Sequence, residues 1–414
     1  MEQDTCQSKE YRLLAMLMGL LVLFTILLWW QFSGYFLFMS FIYKKHKPLT
    51  DKDYSYQPFI SIIVPAYNEE HVIKQRIENL LSQAYTRDKF EVIVVDSGST
   101  DTTLKIAREV EKDEPDVRVL EEGERRGKAS AINLGRSYAR GEIILVTDAN
   151  TVFDLDVLRE IAPYFRNPDI GAIGGRFVLS NAKSGMLRAS SFYWELESVV
   201  RRGESSLDSA CLFHGEINAW RKDIIEADPG SLAEDLDIAI RIRKQGYKIG
   251  YEPDALAYEP GPTTRREQII QKKRAAIGTI QSFFKHRGYL WFPRDKYSLF
   301  IFPSHKTLQI LSPYLLLGIL ATFFSQLVLQ RFIPSMAYLL AVGVLILLSL
   351  IVLNKELSGT RITRNTSIVK ATLSGDLFNI LLYVLLHEYI ILLAWKDFVL
   401  GNYAVTWQKA ESTR

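Results

Sequence analysis

The sequence predicts an α/β domain inserted between an N-terminal transmembrane helix and a C-terminal helical transmembrane bundle. The 414-residue chain contains four long, almost uncharged stretches, at 13–43, 308–329, 335–353 and 377–395. Each is about long enough to cross a hydrocarbon layer ~30 Å thick as a helix. A charged segment large enough to bury its own core lies between the first two. Within that segment, short β-branched runs alternate with helical stretches, which is typical of an α/β fold.

These stretches divide the chain into six parts. We predict a tail at 1–12, a transmembrane anchor at 13–43, the α/β domain at 54–282, an interfacial segment at 283–306, about three transmembrane helices at 307–400 and a tail at 401–414. Lys44, Lys45 and Lys47 follow the first apolar stretch. Because lysine favours the cytoplasmic side, they predict an integral protein of the cell membrane with a cytoplasmic α/β domain. The alternative, a cleaved signal peptide, fits poorly because the apolar run is about twice the usual ~7–15 residues.

Charge and cysteine content exclude several other classes of protein. The net charge of +3 is small and by itself says little about nucleic acid. We expect the lipid bilayer as a partner, because of the long apolar stretches, and no nucleic acid. The two cysteines, Cys6 and Cys211, fall in regions predicted on opposite sides of the membrane. A structural disulfide is therefore not expected, and no cysteine spacing suggests a thiolate metal site.

The elements of the α/β domain can be followed in order. Buried strands are predicted at 59–64, 91–95, 117–120 and 142–147, with helices after Asn68, after Asp101, over 128–139 and from Glu234 to Gly246. Asn68 and Asp101 are the expected N-caps of the first two helices. Near-continuous apolar strands that alternate with helices indicate a parallel sheet covered on both faces.

Polar residues follow the predicted strands at the edge where such sheets bind ligands. Asp96, Asp148 and Asn150 stand at strand ends, and a basic loop carries Arg125, Arg126 and Lys128. Carboxylates beside lysine and arginine suit a phosphate bridged by Mg²⁺ or Mn²⁺. The alternative is that each of these residues is simply a solvated turn residue.

Six motifs occur at and after these strand ends. They are Val64-Pro-Ala-Tyr-Asn-Glu-Glu70, Val95-Asp-Ser-Gly-Ser-Thr-Asp101, Arg126-Gly-Lys-Ala-Ser-Ala-Ile-Asn133, Thr147-Asp-Ala-Asn-Thr151, Ala233-Glu-Asp235 and Gln271-Lys-Lys-Arg274. With these motifs in this order, residues 58–282 resemble a family 2 glycosyltransferase of the membrane-embedded, cellulose synthase-like branch. The resemblance implies a Rossmann-like catalytic domain of the glycosyltransferase A type.

The resemblance also implies an activity. The expected enzyme is an inverting glycosyltransferase that moves a sugar from a nucleotide-diphosphate donor, expected to be a UDP-sugar, to a membrane-associated glycan or glycolipid. A polyprenyl-phosphate sugar transferase is the alternative. A catalytically inactive scaffold is less favoured, because Asp96, Asp148 and Asp235 are all present.

The matching motifs imply the site residues. Donor binding would involve Pro65, Tyr67, Glu69, Asp96, Lys128, Asn133, Asp148, Gln271 and Arg274. Asp148 and Asn150 would bind Mg²⁺ or Mn²⁺, with Asn150 at the position where the family usually has a second aspartate. An amide oxygen can ligate a hard cation but supplies no charge, so a lower metal affinity is expected.

The acceptor side depends on the helix that begins at Glu234. Its acidic first turn could merely complement the helix dipole. The resemblance instead makes Asp235 the general base, with Glu234 beside it in the catalytic pair. Ala275 stands where processive relatives usually carry tryptophan, so a single addition or a short product is expected. Trp194, Trp220 or Trp291 could replace that aromatic residue.

The C-terminal tail leaves one question open. Three transmembrane helices after the catalytic domain would put the tail outside. Residues 406–409 and Arg414 nevertheless resemble a tail that relatives keep near the cytoplasmic face. Either the last apolar stretch is re-entrant or the resemblance of the tail is misleading.

Overall fold

The structure is a computed structural model that describes residues 2–45, 49, 51–182, 184–213, 215–328, 338, 342, 345 and 377–404. Most of the predicted apolar stretch at 335–353 and the end of the C-terminal tail lie outside the described residues. The strands are β1 (Ile60–Ala66), β2 (Phe90–Asp96), β3 (Val117–Glu121), β4 (Ile143–Val146), β5 (Val152–Phe153), β6 (Ile170–Leu179), β7 (Asn218–Arg221) and β8 (Lys248–Glu259).

The α-helices alternate with these strands in the middle of the chain and extend beyond them at both ends. They are α1 (Glu2–Trp29), α2 (Tyr35–Lys45), α3 (Ile73–Leu81), α4 (Thr103–Asp113), α5 (Lys128–Tyr138), α6 (Val157–Ile161), α7 (Gly185–Leu207), α8 (Glu234–Lys244), α9 (Arg265–Lys285), α10 (Arg287–Leu290), α11 (Leu308–Val328) and α12 (Leu377–Leu400). Short 3₁₀ turns occur at Arg87–Lys89 and Ala162–Arg166, and π-helical turns at Trp30–Gly34, Tyr297–Ile301 and Pro303–Thr307.

The strands form one mixed eight-stranded sheet in the order β3-β2-β1-β4-β7-β6-β8-β5. The four strands predicted from sequence pair in parallel, as expected. The second half of the sheet departs from that pattern, because β7 runs antiparallel to both β4 and β6. The strands β5, β6 and β8 were not predicted, because their pairing depends on contacts far apart in the chain.

Helices cover both faces of the sheet, so the strand interiors are apolar on both sides. One core contains Ile62 and Val64 of β1, and the core on the opposite face contains Ile63 of the same strand. Burying each such side chain contributes about 1.5–3 kcal/mol to folding. This two-sided burial explains the near-continuous β-branched runs and fixes the polar strand ends at one edge.

Helix starts differ in detail from the predicted N-caps. Asn68 has a positive φ of 54° and precedes α3, which begins only at Ile73. The carboxylate of Asp101 accepts the backbone N–H of Thr103 at 2.9 Å, so it does satisfy a first-turn donor of α4. The cap position of α4 itself is Thr102.

Three described helical segments are long and apolar enough to cross a membrane: Arg12–Lys45, Tyr297–Val328 and Phe378–Leu400. The first includes the predicted anchor. The second begins within the segment predicted to be interfacial, so the helical segment starts before position 307. In the first, Tyr35 of α2 donates a 2.7 Å hydrogen bond to Glu204 of α7, which ties the anchor to the α/β domain.

Candidate active site

The carboxyl ends of β1, β2 and β4 surround one cleft. In the parallel register Ala66 pairs with Asp96, so β1 and β2 end side by side. The cleft has a cavity volume of about 90 Å³ and opens to solvent. Its lining residues are Pro65, Ala66, Tyr67, Glu69, Ser97, Arg125, Gly127, Lys128, Asp148 and Ala149.

Asp96 holds the loop after β2 and presents a buried acceptor. Its Oδ2 accepts the backbone N–H groups of Gly98 at 3.1 Å and Ser99 at 3.0 Å. Gly98 adopts the turn with a φ of 73°, which a side chain would disfavour. Oδ1 of Asp96 is buried and accepts no hydrogen bond from the described residues. A buried acceptor without a donor is costly, so this atom is suited to a ligand N–H or O–H.

Lys128 connects the two sides of the cleft. It is the first residue of α5 and follows Gly127, whose φ is 96°. Its Nζ lies 2.7 Å from Oδ1 of Asp148 and 3.2 Å from Oε1 of Glu234. Burial lowers the pKa of Lys128, but the two carboxylates outweigh burial and raise that pKa above its usual range. The ammonium is therefore charged, and it holds the β4 carboxylate and the first turn of α8 together.

Asp235 follows Glu234 on α8 and lies close to Lys128. Its Oδ1 accepts the backbone N–H of Leu236 at 2.8 Å, which fixes the side chain. Burial raises the pKa of Asp235, and the neighbouring carboxylate of Glu234 raises it further. Such a shift strengthens a carboxylate as a general base, because an effective base has a pKa near the working pH.

Arginines complete the electrostatics of the cleft. The guanidinium of Arg125 lies 4.0 Å from the centre of the Tyr67 ring. From α9, Arg274 approaches the acidic groups: burial lowers its pKa, while Glu234, Asp235 and Asp148 act against that decrease. Both cations can balance the charge of a diphosphate in the cleft.

Asn150 has a partner that the sequence did not reveal. Its Nδ2 donates a 3.0 Å hydrogen bond to Oε1 of Glu259, at the end of β8. Thr151 donates to the other oxygen of Glu259 at 3.3 Å. Asn150 and Glu259 are 6% and 8% exposed, so a second carboxylate is fixed beside the Asp-x-Asn motif.

A buried arginine lies beneath the same motif. Arg76 of α3 is 2% exposed and donates to Thr147 at 2.6 Å. Burial lowers the pKa of Arg76 to about 9, although Asp148 and Glu259 oppose that decrease. Neither Arg76 nor Glu259 was predicted. The only available signal was that Glu259 stands at the end of β8, before Pro260, as Asp96 stands at the end of β2.

Three sequence-based candidates have other surroundings. Asn133 exchanges two 2.8 Å hydrogen bonds with the backbone of Ala227, so its amide braces α5 instead of lining the cleft. Gln271 is exposed on α9. Trp220 is 1% exposed within the sheet, so it cannot offer a ring to an acceptor.

Comparisons with known proteins agree with this geometry. Residues 61–227 match the family model described as glycosyl transferase family 2. Among curated proteins, the chain is 29% identical over 249 residues to the probable glycosyltransferase YdaM of Bacillus subtilis, covering 55% of this chain and 58% of that protein. It is 29% identical over 255 residues to the beta-monoglucosyldiacylglycerol synthase of Synechocystis, covering 58% of this chain and 52% of that protein.

Two further similarities extend this result. The poly-beta-1,6-N-acetyl-D-glucosamine synthase of Staphylococcus aureus is 26% identical over 273 residues, covering 62% of this chain and 63% of that protein. The chain thus spans between 52% and 63% of the length of these three relatives. A solved mannosyltransferase, PcManGT from Pyrobaculum calidifontis in complex with GDP-Man and Mn²⁺, superposes with a TM-score of 0.67 at 25% identity. That match covers 94% of this chain and 100% of the mannosyltransferase.

Residues 61–227 therefore match a family 2 glycosyltransferase model, and the mixed sheet of this domain is of the glycosyltransferase A type. The predicted fold class and the predicted enzyme class of this domain are confirmed.

Proposed function

We propose that the chain is an inverting glycosyltransferase that transfers a sugar from a nucleotide-diphosphate donor to a glycan or glycolipid at the membrane. The observation that carries this proposal is the position of Lys128, which joins the donor-side Asp148 to the acidic first turn of α8. A UDP-sugar is the expected donor. The catalytic domain would lie on the cytoplasmic side of the membrane, and the N-terminus on the outer side.

Donor binding follows from the shape and charge of the cleft. Oδ1 of Asp96 would accept a hydrogen bond from the base or ribose, and Pro65 and Tyr67 line the cleft. Lys128 and Arg274 would balance the diphosphate, whose negative charge increases as the sugar leaves. Preorganised cations of this kind stabilise the transition state because they need no rearrangement during the reaction.

The oxygen donors of this edge suit a hard divalent cation, Mg²⁺ or Mn²⁺. Asp148 lines the cleft, and the Asn150 amide is fixed beside the carboxylate of Glu259. Asp148 would hold the cation, and Asn150 is the second proposed ligand. When bound, the cation supplies Lewis-acid stabilisation of the leaving diphosphate. The Mn²⁺ in the complex of the similar mannosyltransferase supports this assignment.

Asp235 is the proposed general base. Its carboxylate would accept the proton of the acceptor hydroxyl as that oxygen attacks the anomeric carbon and the diphosphate leaves. A single displacement inverts the configuration of that carbon. The raised pKa of Asp235 and its position beside Lys128 support this role.

The acceptor class distinguishes the leading proposal from a polyprenyl-phosphate sugar transferase. The similar synthases of Synechocystis and Staphylococcus aureus are named for a glycolipid and a polysaccharide product, which favours the leading proposal. The test is to incubate membranes containing the full chain with a panel of labelled nucleotide sugars and then separate lipid-extractable product from polymer. Membranes containing the Asp235→Asn variant are the control. Product that is equally abundant in both samples would contradict the proposal.

Asn150→Asp tests the metal assignment. Without metal, the new carboxylate would lose the hydrogen bond to Glu259 and repel it, so we expect a lower Tm. If a cation binds here, it should relieve that repulsion. Mn²⁺ should therefore raise the Tm of Asn150→Asp more than that of the wild type, and half-maximal activity should need less metal.

The matched control is the double variant Asn150→Asp, Glu259→Gln, in which the Gln amide can donate to the new carboxylate. Its Tm without metal should recover towards the wild-type value, because the like-charge contact is removed. An equal Mn²⁺ response in all three proteins would exclude Asn150 from the metal site.

Product length tests the acceptor side. Ala275 is exposed on α9, where a tryptophan could stack on an acceptor sugar. Without that ring, the acceptor should dissociate sooner, so we expect short or singly glycosylated products at limiting enzyme and excess donor. Ala275→Trp should lengthen them. Long chains made by the wild type while most acceptor remains unused would refute this expectation.

A further inference from the structure

A buried group of charged side chains lies where α7 meets the π-helical turn Pro303–Thr307. It contains two carboxylates of α7, Glu197 and Glu204. Nδ1 of His305 donates to Glu204 at 2.6 Å, and Nε2 of the same ring donates to Glu197 at 3.1 Å. Both ring nitrogens donate only when the imidazole is protonated. Arg201 pairs with the other oxygen of Glu197 at 3.2 Å, so two cations already balance the two carboxylates.

Two lysines beside this group are not balanced in the same way. Lys306 is buried, and its Nζ donates to the amide oxygen of Gln309 at 3.0 Å. Nζ of Lys272 on α9 lies 3.6 Å from the centre of the Tyr383 ring on α12. In the part of the chain that the structure describes, neither ammonium forms an ion pair with a carboxylate. Burial accordingly lowers the pKa of Lys272 to about 7, with no anion opposing that decrease.

The remaining acidic side chains of α7, α9 and α12 have partners of their own. They are Glu195, which pairs with Arg176, Glu267, which accepts from Thr264, Glu388, which accepts from Ser312, and Asp397, which pairs with Lys273. Lys272 and Lys306 are therefore two positive charges in excess of the carboxylates around them.

The two lysines are directed at the same region. Both interact electrostatically with the imidazole of His387 on α12. The His387 ring lies 6.4 Å from the ring of Tyr193 on α7, and Tyr193 donates to Glu197 at 2.8 Å. Lys306 also interacts electrostatically with Glu197. The excess charge is thus concentrated between α7 and α12.

This arrangement suits an anion that is attached to a lipid. A buried charge without a counter-ion is costly, so an anionic ligand would stabilise both ammonium groups. Lysine binds phosphate as a compact point charge. One side of the region is formed by Tyr383 and His387 of α12, an apolar helix long enough to cross a membrane. A phosphate that carries an apolar chain fits these surroundings better than a free phosphate ion.

The region borders the acceptor side of the active site without containing the proposed base. Burial and Glu234 raise the pKa of Asp235, and Arg201 acts against that rise, so Arg201 lies between Glu197 and the base. Two residues after Lys272 on α9, Arg274 approaches the same acidic groups. A phosphate bound by the two lysines would therefore be close to the reacting hydroxyl but separate from it.

We infer that Lys272 and Lys306 bind the phosphate group of a lipid that carries the acceptor sugar. The phosphate is a binding group here, and a hydroxyl of the attached sugar is the nucleophile. In a polyprenyl-phosphate sugar transferase, by contrast, an oxygen of the phosphate itself attacks the donor. The identity of the nucleophile rests on the proposed function, whereas the binding of the phosphate does not.

Native mass spectrometry of the full chain in a non-ionic detergent tests the binding. The probes are farnesyl phosphate, farnesol and inorganic phosphate. Farnesyl phosphate should bind saturably and at least about 10-fold more tightly than either of the other two. Lys272→Met and Lys306→Met should each weaken its binding about 10-fold or more, because each removes a charge-assisted contact. Lys105→Met, at an exposed lysine of α4, is the matched control and should bind like the wild type.

Two competing sites are distinguished by the same measurement. Excess UDP should leave the binding of farnesyl phosphate unchanged, because the donor cleft is a different site. Displacement by UDP would place the phosphate in that cleft and overturn the inference. Equal affinity for inorganic phosphate would indicate a site for the free ion, and equal affinity for farnesol would show that the phosphate is not recognised. Either result would also overturn it.

The stability of the ligand-free variants separates binding from a structural role. Removing a buried charge that has no counter-ion should not destabilise the fold, so Lys272→Met and Lys306→Met should have a Tm at least equal to that of the wild type. A lower Tm, or failure to fold, would show that the lysines support the structure and would contradict the inference. Loss of transfer activity in the labelled-sugar experiment would instead contradict the proposed function and leave the binding result in place.

Discussion

Replacing Asp235 with asparagine is expected to lower kcat by at least about 10²-fold, with little change in nucleotide-sugar affinity. A general base contributes roughly 10²–10⁴-fold, and it acts only when the acceptor hydroxyl attacks. The amide keeps the size of the side chain and can still accept the N–H of Leu236, so the first turn of α8 should remain intact. Donor affinity and turnover should be measured on the same preparation. Near-normal turnover would move the role to Glu234.

The pH profile provides a second measure of this role. Burial and Glu234 raise the pKa of Asp235, so the base becomes protonated, and activity falls, at a pH above the usual ~3.9 of aspartate. Glu234→Gln removes a neighbouring negative charge and should move this acid limb to lower pH, whatever its effect on kcat. An acid limb that stays in place in Glu234→Gln would show that another group titrates.

Replacing Asp148 with alanine is expected to reduce turnover by about 10²–10³-fold, which is the loss typical of removing one preorganised electrostatic contact from the reacting centre. Asp148 is the one carboxylate in the Asp148-Ala-Asn150 motif, because the third position is an amide. Its Oδ1 lies 2.7 Å from Nζ of Lys128. Without it, Lys128 would keep Glu234 as its partner and should shift towards α8. Both the metal-binding and the donor-binding geometry should then fail.

The side chain of Asp148 is 26% exposed, so its loss should not prevent folding. Asp156→Ala is a suitable control, because this nearby carboxylate is 47% exposed and is paired with Arg159 of its own turn. The control should retain activity, and the Asp148 variant should show a weakened Tm response to Mn²⁺ with nucleotide. Full activity of the wild type in excess chelator would contradict a metal role for Asp148.

Local pattern was sufficient to predict which polar residues meet at one edge of the sheet. Apolar runs of strand length set the ends of β1, β2 and β4, and parallel pairing then brings Asp96 and Asp148 to one edge. The basic loop before α5 lies between β3 and β4 in the chain. These features depend on residue period and on short connections, which are read directly from the sequence.

Only the tertiary structure could reveal which distant residues contact Asn150 and Lys128. Glu259 reaches Asn150 across 109 positions of the chain, and Lys128 reaches Glu234 from a different helix. Antiparallel strands help to bring these groups together. The residue pattern of such a strand does not indicate which other strand it will pair with. Their pairing is decided by long-range packing.

The apolar stretch at 377–395 shows the same division. By composition the sequence determined that this segment is a helix suited to lipid, and its length alone permits a span. Its contacts with Gly185 at one end and Lys273 at the other are made by the folded catalytic domain. Hydropathy measures how strongly a helix prefers lipid to water, whereas the contacts at its two ends depend on how the rest of the chain folds.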